Sequence, residues 1–208
     1  NTPPLTLRGT GTPTISGELI AAGFDSGRVA VIGLSDGQAL WERMVAVNRG
    51  RSEVERISDI DAKPLILNEM LYVSAYNDKV SALELATGRT IWEREISSYT
   101  GFVADKDTLY VVSDEHAVWA LSLTSGATKW VQKAFRGRRL TVPTIVEKNL
   151  CMGDLEGYIH CLDRFTGAQT GRLNTGSGIL TAQPVFDGQL IYVMSVDGTV
   201  TALKIDQG

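Results

Sequence analysis

One short motif recurs along the chain, and a repeat of this length constrains the fold more than any single residue can. A polar residue and a glycine are followed four residues later by tryptophan: Asp36-Gly37 with Trp41, Thr87-Gly88 with Trp92, and Ser125-Gly126 with Trp130. A fourth copy, Thr166-Gly167, has Gly171 where the others have tryptophan, and a fifth opens at Asp206. Ahead of each copy an alternating strand follows a turn, anchored at Val29, Val80, Val118, Ile159 and Val200. These anchors lie 51, 38, 41 and 41 residues apart, a period near 41 with one insertion of about ten residues around positions 47–58.

Within each repeat the pattern predicts four short strands. One follows a proline (Pro13, Pro64, Pro143, Pro184), a second follows a turn such as Asn68-Glu69 or Asp187-Gly188, the third carries the valine-like anchor and the fourth carries the tryptophan. Four antiparallel strands per repeat of this length is the signature of a β-propeller blade. No stretch holds helical spacing, so the expected class is all-β: a single, partial propeller domain over 1–208. The blades are expected near 13–47, 62–98, 99–137, 141–175 and 182–208, with 1–10 as a strand of an adjacent blade. Five repeats are compatible with a closed ring or with an arc of a larger propeller.

Residues equidistant from the turn between the second and third strands should face each other. That register pairs Tyr72 with Ala82, Tyr110 with Ala120, Tyr192 with Ala202, and Cys151 with Cys161. A large residue meets a small one three times, as close packing between blades demands. Trp41, Trp92 and Trp130 recur at one place in the repeat, which marks them as structural packing residues rather than as a cofactor site. Bridges between directly opposed cysteines are strained and uncommon, which favours two buried thiols at 151 and 161. A disulfide is the alternative in an oxidising compartment.

Composition excludes several classes. The 208 residues are 43% hydrophobic and 21% charged with a net charge of −4, so a folded domain is expected and a nucleic-acid partner is not. No apolar run reaches the ~20 residues of a membrane-spanning helix. The chain opens Asn1-Thr2-Pro3-Pro4, so a signal or anchor is expected to lie outside it. The acidic residues fall on turns, where aspartate is favoured for local reasons, and the two cysteines lack zinc-site spacing, so neither a metal nor a cofactor is expected. His116 and His160 read as packing or surface residues, and no catalytic set can be assembled.

The tryptophan repeats resemble those of the pyrroloquinoline-quinone type. Leu5-Thr6-Leu7-Arg8-Gly9-Thr10, Arg56-Ile57-Ser58-Asp59-Ile60-Asp61, Ala75-Tyr76-Asn77, Gly153-Asp154-Leu155-Glu156-Gly157-Tyr158 and Asp197-Gly198-Thr199-Val200, in that order, resemble the BamB family. BamB proteins are lipoprotein subunits of the outer-membrane β-barrel assembly machinery. The resemblance implies an eight-bladed propeller, lipid-anchored at the periplasmic face of the outer membrane of a Gram-negative bacterium, of which this chain is a C-terminal part. It implies a non-enzymatic role in the assembly complex, docking on the periplasmic POTRA domains of BamA, with contact to unfolded outer-membrane proteins as a further option.

On this resemblance the partner-binding residues match Leu5, Leu7, Arg8, Asp59 and Asp61, with Arg56 and Arg138 as additional candidates. Arg8, Asp59 and Arg138 each lie five residues before a proline that opens a blade. Equivalent positions in successive repeats share one face, so the Leu5–Arg8 and Asp59–Asp61 clusters are expected to form one patch. Leucines there would supply area to desolvate, and Arg and Asp directional bonds. The residues leave open whether docking uses side chains or strand addition. Two other functions remain as alternatives: a quinoprotein-type dehydrogenase, whose calcium-ligating cluster is not recognisable here, and a propeller that binds a small ligand in its central channel.

Overall fold

The computed structural model describes residues 11–24, 27–46 and 60–204. The chain divides into two compact units, Asn1–Gly101 with Leu123–Gly126, and Phe102–Ser122 with Ala127–Gly208. In the first unit, β1 (Thr14–Ser16), β2 (Leu19–Gly23), β3 (Arg28–Gly33) and β4 (Ala39–Met44) form one sheet in sequential order. A second sheet holds β5 (Leu65–Leu67), β6 (Met70–Ser74), β7 (Val80–Glu84) and β8 (Thr90–Arg94).

In the second unit, β9 (Phe102–Ala104), β10 (Thr108–Val112), β11 (Val118–Ser122) and β12 (Thr128–Gln132) form a third sheet. The fourth contains β13 (Thr144–Val146), β14 (Asn149–Gly153), β15 (Tyr158–Asp163) and β16 (Gln169–Asn174). The fifth contains β17 (Val185–Phe186), β18 (Leu190–Met194) and β19 (Val200–Lys204). All pairs are antiparallel meanders, and no helix occurs among the described residues.

The turns explain the meander. Asn68 and Glu69 both take positive φ, 51° and 60°, between β5 and β6. Two consecutive residues of that hand make the tight turn whose twist matches a β-hairpin. The registers expected from sequence are the ones observed: Tyr72 opposes Ala82, Tyr110 opposes Ala120, Tyr192 opposes Ala202 and Cys151 opposes Cys161.

Each core is built from the middle strands. In the first unit Val29 and Val31 of β3 pack with Leu71, Val73 and Leu83 of the next sheet, and Ile60 completes the cluster. In the second unit Tyr110, Val112 and Ala120 pack with Leu150, Met152 and Leu162, and Val146 and Ile159 with Ile191 and Val193. Polar bonds join the first strands of neighbouring sheets as well. Thr14 Oγ1 donates to Pro64 O in the first unit, and Thr144 Oγ1 donates to Pro184 O in the second.

The repeated motif acts between copies rather than within one. Trp41 donates its indole Nε1–H to Leu85 O at 2.8 Å, Trp92 to Leu123 O at 2.8 Å, and Trp130 to Arg164 O at 2.9 Å. In each case the acceptor lies three residues before the glycine of the following copy. A Cβ on Gly88 would stand 2.7 Å from Trp41 Cε3, one on Gly126 2.7 Å from Trp92 Cε3, and one on Gly167 2.6 Å from Trp130 Cε3. Those glycines also have φ of 69°, 67° and 74°. Glycine is therefore required twice, for the left-handed turn and for the indole that lies on it.

The tryptophan is aimed by local irregularity. The register shifts just beside it, between Val31 and Ile32, Ala82 and Leu83, and Ala120 and Leu121. A bulge bends the strand and redirects a side chain. Tyr72 and Tyr110 join the contact: their hydroxyls donate to the same carbonyls, Leu123 O and Arg164 O, at 3.2 Å. Their rings lie 6.0 Å from those of Trp92 and Trp130.

The fourth sheet departs from this plan. Cys151 stands in the tyrosine position, Cys161 opposite it, and Gly171 in the tryptophan position. The sulfurs are bonded to each other, with the Cα atoms 4.2 Å apart. The two thiols favoured from sequence are thus a cross-strand disulfide, because the β14–β15 register brings the two Cα atoms within bridging distance. Closing a loop of 10 residues restricts the unfolded chain by about 2–3 kcal/mol on the chain-entropy account.

Trp92 is only 8% exposed, so its loss empties a packed site. Trp92→Ala is expected to lower stability by about 3–5 kcal/mol, and Trp92→Phe, which keeps a ring but not the N–H, by less than half of that. Urea unfolding measures both. An unchanged midpoint in the alanine variant would contradict the clasp.

Candidate partner-binding face

In the first, second and fourth sheets the turn between the second and third strands lies at the same end as the linker leaving the fourth strand and hydrogen bonds tie the two, and the linker leaving the third sheet is tied to the fourth sheet's turn. In the first unit Val45 N and Ala46 N, just after β4, donate to Gly27 O at 2.9 and 3.1 Å. After β8, Asn77 N in the β6–β7 turn donates to Ser97 Oγ at 2.7 Å, and Tyr76 meets Tyr99 edge to face at 6.2 Å. In the second unit Leu155 N donates to Arg138 O at 3.1 Å, Thr175 N to Gly157 O at 3.0 Å and Leu180 N to Asp154 O at 3.0 Å.

The first unit shows a close approach at this end. A Cβ on Gly11 would stand 2.7 Å from Ile60 O and 2.9 Å from Asp61 O. The backbone preceding β1 therefore lies directly against the backbone preceding β5, with glycine the residue that permits it. Ile60 is fully buried and Asp61 is half-buried. Of the other residues expected on this face, Leu5, Leu7, Arg8, Arg56 and Asp59 lie outside the described residues.

The second unit places a charged cluster at the corresponding end. Asp154, in the β14–β15 turn, is fully buried. Its Oδ1 accepts the backbone N–H groups of Glu156 and Tyr158 at 2.9 Å each. Its Oδ2 lies 2.7 Å from His160 Nε2 and 3.2 Å from Arg138 Nη1. Arg138 also pairs with the exposed Glu156. Phe135 packs on the His160 ring at 5.0 Å and Tyr158 at 6.3 Å, closing the site against water.

Burial pushes the Asp154 carboxyl up, but the bonds from His160 and from the Tyr158 and Glu156 amides outweigh it and hold the group below the usual carboxylate range. Arg138, a candidate for partner contact, thus has its charge matched inside the chain and pins the linker preceding β13. His160, expected as a packing or surface residue, is a buried packing residue and in addition pairs with Asp154. The signal for that pairing was the Gly153-Asp154 turn six residues ahead, which the hairpin register folds back onto His160. Among the described residues no three His, Cys, Asp or Glu side chains converge as a metal-binding set.

Four-stranded meanders joined by indole–carbonyl contacts and repeated at about 41 residues define a class: β-propeller proteins of the pyrroloquinoline-quinone repeat type. Residues 1–132 and 133–208 match the family described as "Outer membrane protein assembly factor BamB". The chain belongs to the BamB family. It is 38% identical over 203 residues to the protein of that name from Alkalilimnicola ehrlichii, covering 98% of this chain and 53% of the relative. It is 34% identical over 202 residues to the protein of that name from Escherichia coli, covering 97% and 51%.

The crystal structure of BamB from Moraxella catarrhalis superposes with a TM-score of 0.89 at 27% identity, over 99% of this chain and 61% of that one. The computationally designed Ika8 protein, at 15% identity and a TM-score of 0.76, shares the fold alone. The chain spans about half the length of the curated relatives it matches.

Because the unfolded carboxyl titrates near pH 3.9, the stabilisation from Asp154 is fully present above that pH and is lost as pH falls through the lower folded value. Asp154→Ala is expected to cost about 3 kcal/mol at pH 7 by leaving Arg138 and His160 without their partner. It is also expected to flatten the loss of stability between pH 5 and pH 2. Urea midpoints across that range provide the check, and an equal slope in both proteins would contradict the assignment.

Proposed function

We propose that this chain is part of a non-catalytic scaffold subunit of the outer-membrane β-barrel assembly complex, held at the periplasmic face of the membrane by a lipid anchor outside it. Its partner is BamA, whose periplasmic POTRA domains dock on the end of the sheets carrying the inter-sheet linkers, and the docking aids insertion of outer-membrane proteins. Leu5, Leu7, Arg8, Asp59 and Asp61 form the contact, and Arg56 extends it. Arg138 contributes by holding its linker through Asp154 and Glu156.

The observation that carries this reading is the approach of Gly11 to Ile60 and Asp61, which supports one continuous patch from the two stretches that adjoin these residues. The relatives' role as outer membrane protein assembly factors, given by their name, supports the complex. The disulfide agrees with a compartment outside the reducing cytosol. A scaffold, unlike an enzyme, needs no converging catalytic set, and its specificity rests on charged groups oriented around leucines.

The test is binding of the chain to isolated POTRA domains, comparing wild type with Arg8→Ala/Asp59→Ala. Removing both charges is expected to weaken binding at least tenfold, with the circular dichroism spectrum unchanged. Equal affinity would move the site away from this face.

A further inference from the structure

Two tyrosines meet at the linker end of the second sheet. Tyr76, in the β6–β7 turn, and Tyr99, on the linker leaving β8, are both half-buried, and their rings lie 6.2 Å apart at an interplanar angle of 65°. The backbone beneath them is tied together: Ala75 N donates to Lys79 O at 2.9 Å, Ser98 N to Ala75 O at 3.5 Å and Asn77 N to Ser97 Oγ at 2.7 Å. By register, the same turn position is Leu155 in the fourth sheet and Val196 in the fifth. Their N–H groups donate to Arg138 O at 3.1 Å and Ile179 O at 2.9 Å, each on the linker that enters the same sheet. The repeat thus sets this turn between the linker entering a sheet and the linker leaving it, and in the second sheet the entering linker carries Ile60 and Asp61.

The fourth and fifth sheets hold their linkers with leucine or valine at this place, so the fold does not require an aromatic residue there. Tyrosine offers a large ring at a small cost in side-chain freedom, and a ring already held edge to face by a second one loses still less on binding. Such rings are the residues that dominate protein–protein contacts. We propose that the Tyr76–Tyr99 pair is the aromatic anchor of the docking contact: the Tyr76 ring buries an apolar surface of the partner beside the Ile60–Asp61 stretch, and Tyr99 holds that ring in place. This inference rests on the docking face proposed for the POTRA domains and supplies the desolvated centre of that face.

Binding to isolated POTRA domains is measured for Tyr76→Leu, which installs the side chain the fourth sheet tolerates at this place, with Arg8→Ala/Asp59→Ala alongside. Tyr76→Leu is expected to weaken binding about tenfold or more while its urea midpoint stays that of wild type, and Tyr76→Phe, which keeps the ring, to bind within about threefold of wild type. Tyr99→Ala, acting only through Tyr76, is expected to weaken binding about threefold, and Tyr99→Phe to restore it. Wild-type affinity in Tyr76→Leu together with lost binding in the double variant would overturn the anchor and leave the docking face standing. Wild-type affinity in both would overturn the docking face and the anchor with it.

Discussion

The indole laid on the glycine turn of the following repeat is the contact on which the rest of the structure depends. A four-stranded sheet of this length has two faces and cannot bury both by itself, so repeats become stable only by stacking. Apolar residues of the middle strands supply most of the buried area, but that attraction is non-directional. The indole N–H bonded to Leu85 O, Leu123 O or Arg164 O adds direction, and the glycine opposite it admits the ring only in one place. The contact therefore fixes the register of one repeat against the next as well as contributing stability.

The fourth sheet has lost this contact. Cysteines occupy the tyrosine position and the one opposite, glycine the tryptophan position, and a covalent bond within the sheet stands where aromatic rings elsewhere reach across. The exchange ties the sheet by a covalent bond within it instead of an aromatic contact across to the next.

Much of this was legible in the sequence because a repeat tests each reading several times. The period near 41 residues gave the strands, and symmetry about the β6–β7, β10–β11, β14–β15 and β18–β19 turns gave the registers. What the motif could not show was that its glycine and its tryptophan serve different contacts, since both partners of each lie about forty residues away. The disulfide was open for a similar reason, because a register places two sulfurs opposite each other without saying whether they are joined. Asp154 and His160 stand where the other repeats carry Phe24, Ala75, Ser113 or Ser195 and Ala30, Ser81, Trp119 or Thr201, so no period could reveal their pairing.

If the end of each sheet that carries the inter-sheet linkers is the functional end, the indole-bearing turns at the opposite end are left to structure. Amide hydrogen exchange of the chain, alone and with the POTRA domains, separates the two ends directly. Added protection is predicted around Gly11 and Ile60–Ala62, with none at Leu85–Gly88 or Leu123–Gly126; protection confined to those glycine turns would contradict the assignment of the docking face.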